Sequence, residues 1–166
     1  MIAMHAEQHR AVRSDADSCS APLVVLEEFG ASGDPITVMT ASYREALHAA
    51  WLSTWAWESG IETTGAPVTD ATRLATSLER HHPDVLLLDK PLLDRLDTMS
   101  LRRIQRCSHV RVLLVVEHTS HRAVCDVLRN RFHGVLLTTS PRHLCLKAIR
   151  SVSKGELWLS RRLMAE

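Results

Sequence analysis

The sequence predicts an α/β fold, a five-stranded parallel sheet with five helices on its two faces. Two observations carry this. From Ile36 onward, short aliphatic runs alternate with longer stretches whose apolar residues recur at helical spacing. Three of the runs are also apolar at consecutive positions, as in strands covered on both faces.

The elements follow in order. ITVMT (36–40) is the first strand. Leu47, Trp51 and Trp55 repeat every four residues and define the first helix, with Gly60 placed to stop it. IETTGA (61–66) is the second strand, and Asp70 is the cap of a second helix that buries Leu74 and Leu78. DVLLLD (84–89) is the third strand; Leu101 and Ile104 belong to the third helix. RVLLVV (111–116) is the fourth strand, followed by a helix with Val124, Val127 and Leu128 on one face. GVLL (134–137) is the fifth strand. Ser140 and Pro141 read as an N-cap and a first-turn proline. Leu144, Ala148 and Val152 form the buried stripe of that last helix, and Gly155 ends it.

Parallel neighbours need right-handed crossovers, and the matching strand order is the flavodoxin-like 2-1-3-4-5. Function in such sheets sits at the carboxyl ends of strands 1 and 3, where the order reverses. Asp89, a charge closing the run VLLL, is therefore the first residue to examine.

Composition narrows the function classes. The chain has 166 residues, 45% apolar and 23% charged, which suits one folded domain. Twenty bases against nineteen acids exclude nucleic-acid binding by charge alone. No aliphatic run is long enough to span a bilayer, and residues 1–15 lack the apolar core of a secretory signal. Cys19, Cys107, Cys125 and Cys145 are widely spaced without a zinc pattern, and read as reduced, mostly core thiols of a cytoplasmic protein. Residues 1–35 carry a net charge of −4 and read as a largely flexible extension, with Leu23 to Leu26 a candidate short strand. Residues 36–155 are the folded domain. Residues 140–166 carry +4.

At this point the residues resemble a known family. Residues 36–160 are similar to the receiver domain of LuxR/NarL-type response regulators. The matching segments are YREALHAAW (43–51), PDVLLLD (83–89), RVLLVVEH (111–118) and GVLLTTSPRHLCLKAIRSVSKGELWLS (134–160). Gly155, Glu156, Trp158, Leu159 and Ser160 match the turn that leads into the family's linker. The resemblance implies a CheY-like three-layer fold. It implies phosphorylation by a histidine kinase at the aspartate ending strand 3, here Asp89. It also makes residues 156–166 the start of a linker toward a DNA-binding output domain absent from this chain. The eleven residues after Gly155 are too few for a helix-turn-helix, so the sequence is expected to be either a regulatory fragment or a protein without that domain.

The supporting groups of that chemistry are missing. The family's magnesium-binding acidic pair falls within Thr40, Ala41, Ser42 and Tyr43, which hold no carboxylate. Its Thr or Ser at the end of strand 4 aligns with Val116, and its Lys at the end of strand 5 with Thr138. Losing one preorganised donor typically costs roughly 10²–10³ in rate. Magnesium binding is thus expected to be weak or absent, with no other cofactor. Lys90 follows Asp89 but faces away in a strand. Glu45 and Glu117 are the carboxylates that would have to be recruited.

Other features take plainer readings. His81 with His82, and His118 with His121 on a helix, read as solvated histidines without further ligands. Trp57 reads as a core or boundary residue. Arg102, Arg103, Arg106 and Arg111 read as a solvated face. The expected function is a degenerate receiver module acting through protein contact. Its dimer surface would be the first and fifth helices, or the fourth-helix–fifth-strand–fifth-helix face. It is not expected to be an enzyme: no Gly-rich phosphate loop or nucleophile elbow is present. Two alternatives stand beside it. One is a working phosphoacceptor at Asp89; the other is a small α/β ligand-binding protein or enzyme with a crevice near Thr40, Asp89 and Thr138.

Overall fold

The computed structural model describes residues 33–159. The first element is β1 (Ile36–Ala41), then α1 (Glu45–Trp55), β2 (Ile61–Thr63), α2 (Ala71–His81) and β3 (Val85–Asp89). There follow α3 (Lys90–Leu93), α4 (Thr98–Arg106), β4 (Arg111–Val116), α5 (His121–Asn130), β5 (Gly134–Leu137) and α6 (Arg142–Ser153). The five strands form one parallel sheet in the order β2-β1-β3-β4-β5.

Strand side chains alternate between two apolar layers. Leu86 and Leu88 of β3 pack with Leu74 and Leu78 of α2, Ile104 of α4 and Val127 of α5. Val85 and Leu87 face the other way, toward Trp51 and Trp55 of α1 and Ala148, Ile149 and Val152 of α6. All five residues of β3 are buried, so the central strand reads as a continuous apolar run rather than an alternation. Asp89 shares the parity of Val85 and Leu87, and is the one charged side chain among the fully buried residues described.

Several local expectations need correcting. The described residues form six helices, not five. Pro91 presets the first turn of the short helix α3, so the chain turns helical directly after Asp89. β2 is only three residues long. α1 ends at Trp55, and Gly60, at φ +80°, instead turns the chain into β2. The residue capping α6 is Pro141; the Ser140 hydroxyl accepts the Leu137 N–H at 3.1 Å and so closes β5 instead. Leu128 and Leu144 lie on solvent-facing sides, and Ala123 and Cys145 take the inward positions. Trp57 is 93% exposed because α1 has already unwound before it. Cys145 is buried, whereas Cys107 and Cys125 are only half-buried. His118 precedes α5 rather than lying on it. The readings that fall on residues 1–32 and 160–166, Cys19, Leu23 to Leu26 and Ser160 among them, lie outside the described residues.

Other expectations match. The Asp70 carboxylate accepts the Thr72 N–H at 2.9 Å, and α2 buries Leu74 and Leu78. Gly155 follows α6 at φ +85°, with its N–H on Val152 O and that of Glu156 on Ser151 O, a Schellman ending. Beyond it the chain lies along β5: Trp158 N–H reaches His133 O at 2.8 Å, and Val135 N–H reaches Trp158 O at 2.9 Å.

Candidate functional site

The carboxyl ends of β1 and β3 lie side by side, Ala41 opposite Leu88. β1 ends in Thr40 and Ala41, and Ser42 follows; all three are buried. The loop beyond β1 is held on its outer side by Val68, whose carbonyl accepts Ser42 N–H at 2.9 Å. Two residues on, the Arg44 N–H bonds back to the Ser42 hydroxyl oxygen at 3.0 Å. This turn aims two groups at Asp89.

The first is the Ser42 hydroxyl, which donates to Asp89 Oδ2 at 2.6 Å. The second is Arg44. Its Nη2 lies 2.7 Å from Oδ1, and its Nε 3.1 Å from Oδ2, a two-pronged grip on the buried carboxylate. The third guanidinium nitrogen, Nη1, lies 2.5 Å from Glu117 Oε1, just beyond β4. One cation thus bridges acids from the ends of β3 and β4. The hydrogen bond to Asp89, reinforced by both acids' charges, holds the Arg44 pKa above its ordinary value against the opposing cost of burial.

A second polar layer supports the turn. His48 of α1 is buried, with Nδ1 2.9 Å from Thr40 Oγ1 and Nε2 2.7 Å from the Ser42 carbonyl oxygen. The carbonyl can only accept, so Nε2 carries a proton. Tyr43 turns away from Asp89 and lies half-buried against the apolar layer. Its hydroxyl donates to Pro91 O at 3.2 Å and the Arg95 guanidinium stacks 4.2 Å from its ring centre. Burial raises the Tyr43 pKa, with Arg95 opposing.

The sequence-predicted positions fall as follows. Thr40, Ala41, Ser42 and Tyr43 line the end of β1, and of these Ser42 touches Asp89. Val116 is buried in the apolar layer under α5, and Thr138 donates its N–H to Val116 O at 2.9 Å. No hydrogen bond among the described residues joins the Thr138 side chain to Asp89. Lys90 turns away, pairing with Asp94 and lying 3.3 Å from Asp126 Oδ2. Glu45 is exposed, whereas Glu117 reaches the site through Arg44. A cleft of about 510 Å³ lies elsewhere, between β5, the start of α6 and the stretch Glu156–Leu159. Arg44 and His48 are not legible as site residues in the sequence, because the resemblance points only to carboxylates at the end of the first strand.

No protein-family model matches the chain, and no curated protein does. Solved structures do match. A LuxR-family two-component response regulator from Aurantimonas sp. SI85-9A1 superposes with a TM-score of 0.69 at 16% identity, over 80% of this chain and 95% of that one. The non-phosphorylated receiver domain of the stress response regulator RcsB from Escherichia coli gives 0.65 at 16%, over 77% and 100%. The signal receiver domain of NarL from Mycobacterium tuberculosis gives 0.63 at 20%, over 75% and 100%. This chain has the receiver fold. Within this fold Asp89 closes β3, and the stretch Thr40–Tyr43, within which the resemblance sets the acidic pair, lies at the adjacent end of β1. The sequence leads one to expect a carboxylate without countercharge there. The receiver geometry corrects that: Asp89 has a countercharge, and it is Arg44.

Proposed function

We propose that this chain is an atypical receiver module of a transcriptional regulator, one that signals through protein contact largely without aspartyl phosphorylation. The observation that supports this reading is the Arg44 grip on Asp89. A phosphoryl acceptor needs a free carboxylate oxygen, a divalent cation and fixed donors. Here both oxygens are engaged by a guanidinium, and a metal ion would have to displace a covalently tethered cation. Magnesium prefers a set of oxygen ligands, and Arg44 brings positive charge to the place it would need. Magnesium binding is accordingly weak or absent in this reading.

The working partners are then proteins: a second copy of the chain, with a histidine kinase or another regulator as a contact rather than a phosphodonor. DNA would be reached only through an output domain outside this sequence. The module is not an enzyme, and its location is cytoplasmic. No described helix is long and apolar enough to cross a membrane.

The test is incubation with acetyl phosphate and magnesium, read by intact mass. No phosphoryl adduct is expected under conditions that label an ordinary receiver. Stoichiometric, base-labile labelling that vanishes in Asp89→Asn would overturn the proposal.

A further inference from the structure

Two histidines face each other at the amino end of the sheet, the end opposite Asp89. His82 follows α2 and His109 precedes β4. The pairing of Val85 with Arg111 sets these two entries into the sheet side by side. The result is a separation of 3.3 Å between His82 Nδ1 and His109 Nε2, with ring centres 5.1 Å apart and planes at 48°. Both side chains are exposed.

Each ring stands on a fixed backbone. His82 N–H bonds to Leu78 O at 2.9 Å, and the residue takes φ +46°, a left-handed position that Gly or Asn would fill at lower cost. Around His109, Ser108 N–H reaches Arg106 O at 2.9 Å and Val110 N–H reaches Cys107 O at 3.0 Å. Other histidines are committed inside the fold. His48 is held by Thr40 and Ser42, and His133 Nδ1 accepts Val112 N–H at 3.1 Å. Among the described residues, His82 and His109 are the pair whose ring nitrogens meet directly.

Their separation is long for an N–H···N hydrogen bond. It does match the bite of a metal ion: two imidazole nitrogens, each about 2.0–2.1 Å from one tetrahedral ion, stand roughly 3.3–3.4 Å apart. We propose that His82 and His109 chelate a divalent transition-metal ion of the zinc, nickel or copper class, with water filling the remaining positions. Imidazole nitrogen selects these ions over magnesium or calcium. No three metal-ligating side chains converge among the described residues, so the site is a two-ligand, exchangeable one. Asp84, a nearby carboxylate in sequence, is turned toward β1: its Oδ2 accepts the Thr37 N–H at 2.8 Å and the Thr37 hydroxyl at 2.7 Å. The ion would clip the end of α2 to the entry of β4 and stabilise the folded chain by mass action. This inference does not rest on the state of Asp89.

The experiment uses the whole chain free of any affinity tag, titrated with zinc chloride and, separately, nickel chloride. Melting temperature and histidine ring-proton NMR signals are followed. The melting temperature should rise, and the His82 and His109 signals should shift with zinc, or broaden with nickel, at lower metal concentration than those of His118, His121 and His143. His82→Asn and His109→Asn should each abolish the rise, while His118→Asn and His121→Asn should keep it. Asn suits the left-handed position, and circular dichroism checks that each variant folds. If all exposed histidines respond together, or if either key variant retains the rise, the chelate is refuted.

Discussion

Arg44 and Asp89 form a two-pronged ion pair across the ends of β1 and β3, the carboxylate fully buried and the guanidinium one-third exposed. A buried charge is tolerable only when paired and hydrogen-bonded. Arg44→Met leaves Asp89 with Ser42 alone. Breaking a fully buried pair costs about 3–5 kcal/mol; the exposed side of Arg44 scales the expected loss to roughly 2–3 kcal/mol. Urea denaturation measures it. Asp89→Asn, which removes the buried charge itself, should cost less than Arg44→Met, and the double variant should show strong coupling.

The same pair predicts a gain of function. Replacing the tethered cation with an acid should rebuild an oxygen cage beside Asp89. Arg44→Glu should therefore be stabilised by millimolar magnesium, seen as a melting temperature that rises with the ion. The wild-type chain should show no such rise. An equal response of both chains would mean that Arg44 does not occupy the metal's place.

Much of the fold could be read from the chain because its causes are local and periodic. Val85 to Leu88 are apolar in succession, so β3 had to be central; Asp70 before an amphipathic stretch had to cap α2. The site was less legible. Asp89 stood out as a charge closing an apolar run, but its partner lies 45 positions away, and pairing across a crossover leaves no periodic trace. One local clue existed. α1 begins at a residue that offers no side-chain cap, and that residue is an arginine, placed against the positive end of the helix dipole. A broken local rule of this kind often marks a residue serving another site. Leu128 and Leu144 misled for a different reason: their helices are short, and a shift of one position turns a side chain outward.

Gly134 supplies a third prediction. A Cβ there would stand 2.3 Å from Trp158 O, closer than any real contact. Gly134→Ala should therefore push the stretch Glu156–Leu159 off the edge of β5. Hydrogen exchange is the measurement: the Val135 and Trp158 amides, which bond across this edge, should lose protection, while those of β1 and β3 keep theirs. Retained protection at Trp158 would show that the edge can absorb a methyl group.

His133 supplies the last, through pH. Its Nδ1 accepts the Val112 N–H at 3.1 Å, and its Nε2 lies 3.4 Å from Arg111 Nη1. A proton on Nδ1 would remove that acceptor and add a second charge beside Arg111. Burial first, and Arg111 second, hold the folded pKa below the ordinary 6.5. The unfolded chain therefore binds this proton more readily than the folded one. The sign follows: stability from this group is fully present above pH 6.5 and is lost as pH falls through the depressed folded value. Urea midpoints measured from about pH 7.5 down to about pH 5 should fall in the wild-type chain. In His133→Asn the baseline should drop, because the ring's packing and its bond to Val112 are gone, while the decline over this window should flatten. Asp70 and Asp97, whose pKa values are lowered by their capping hydrogen bonds, act only at more acid pH and are common to both chains. An unchanged slope in the variant would assign the acid sensitivity to other groups.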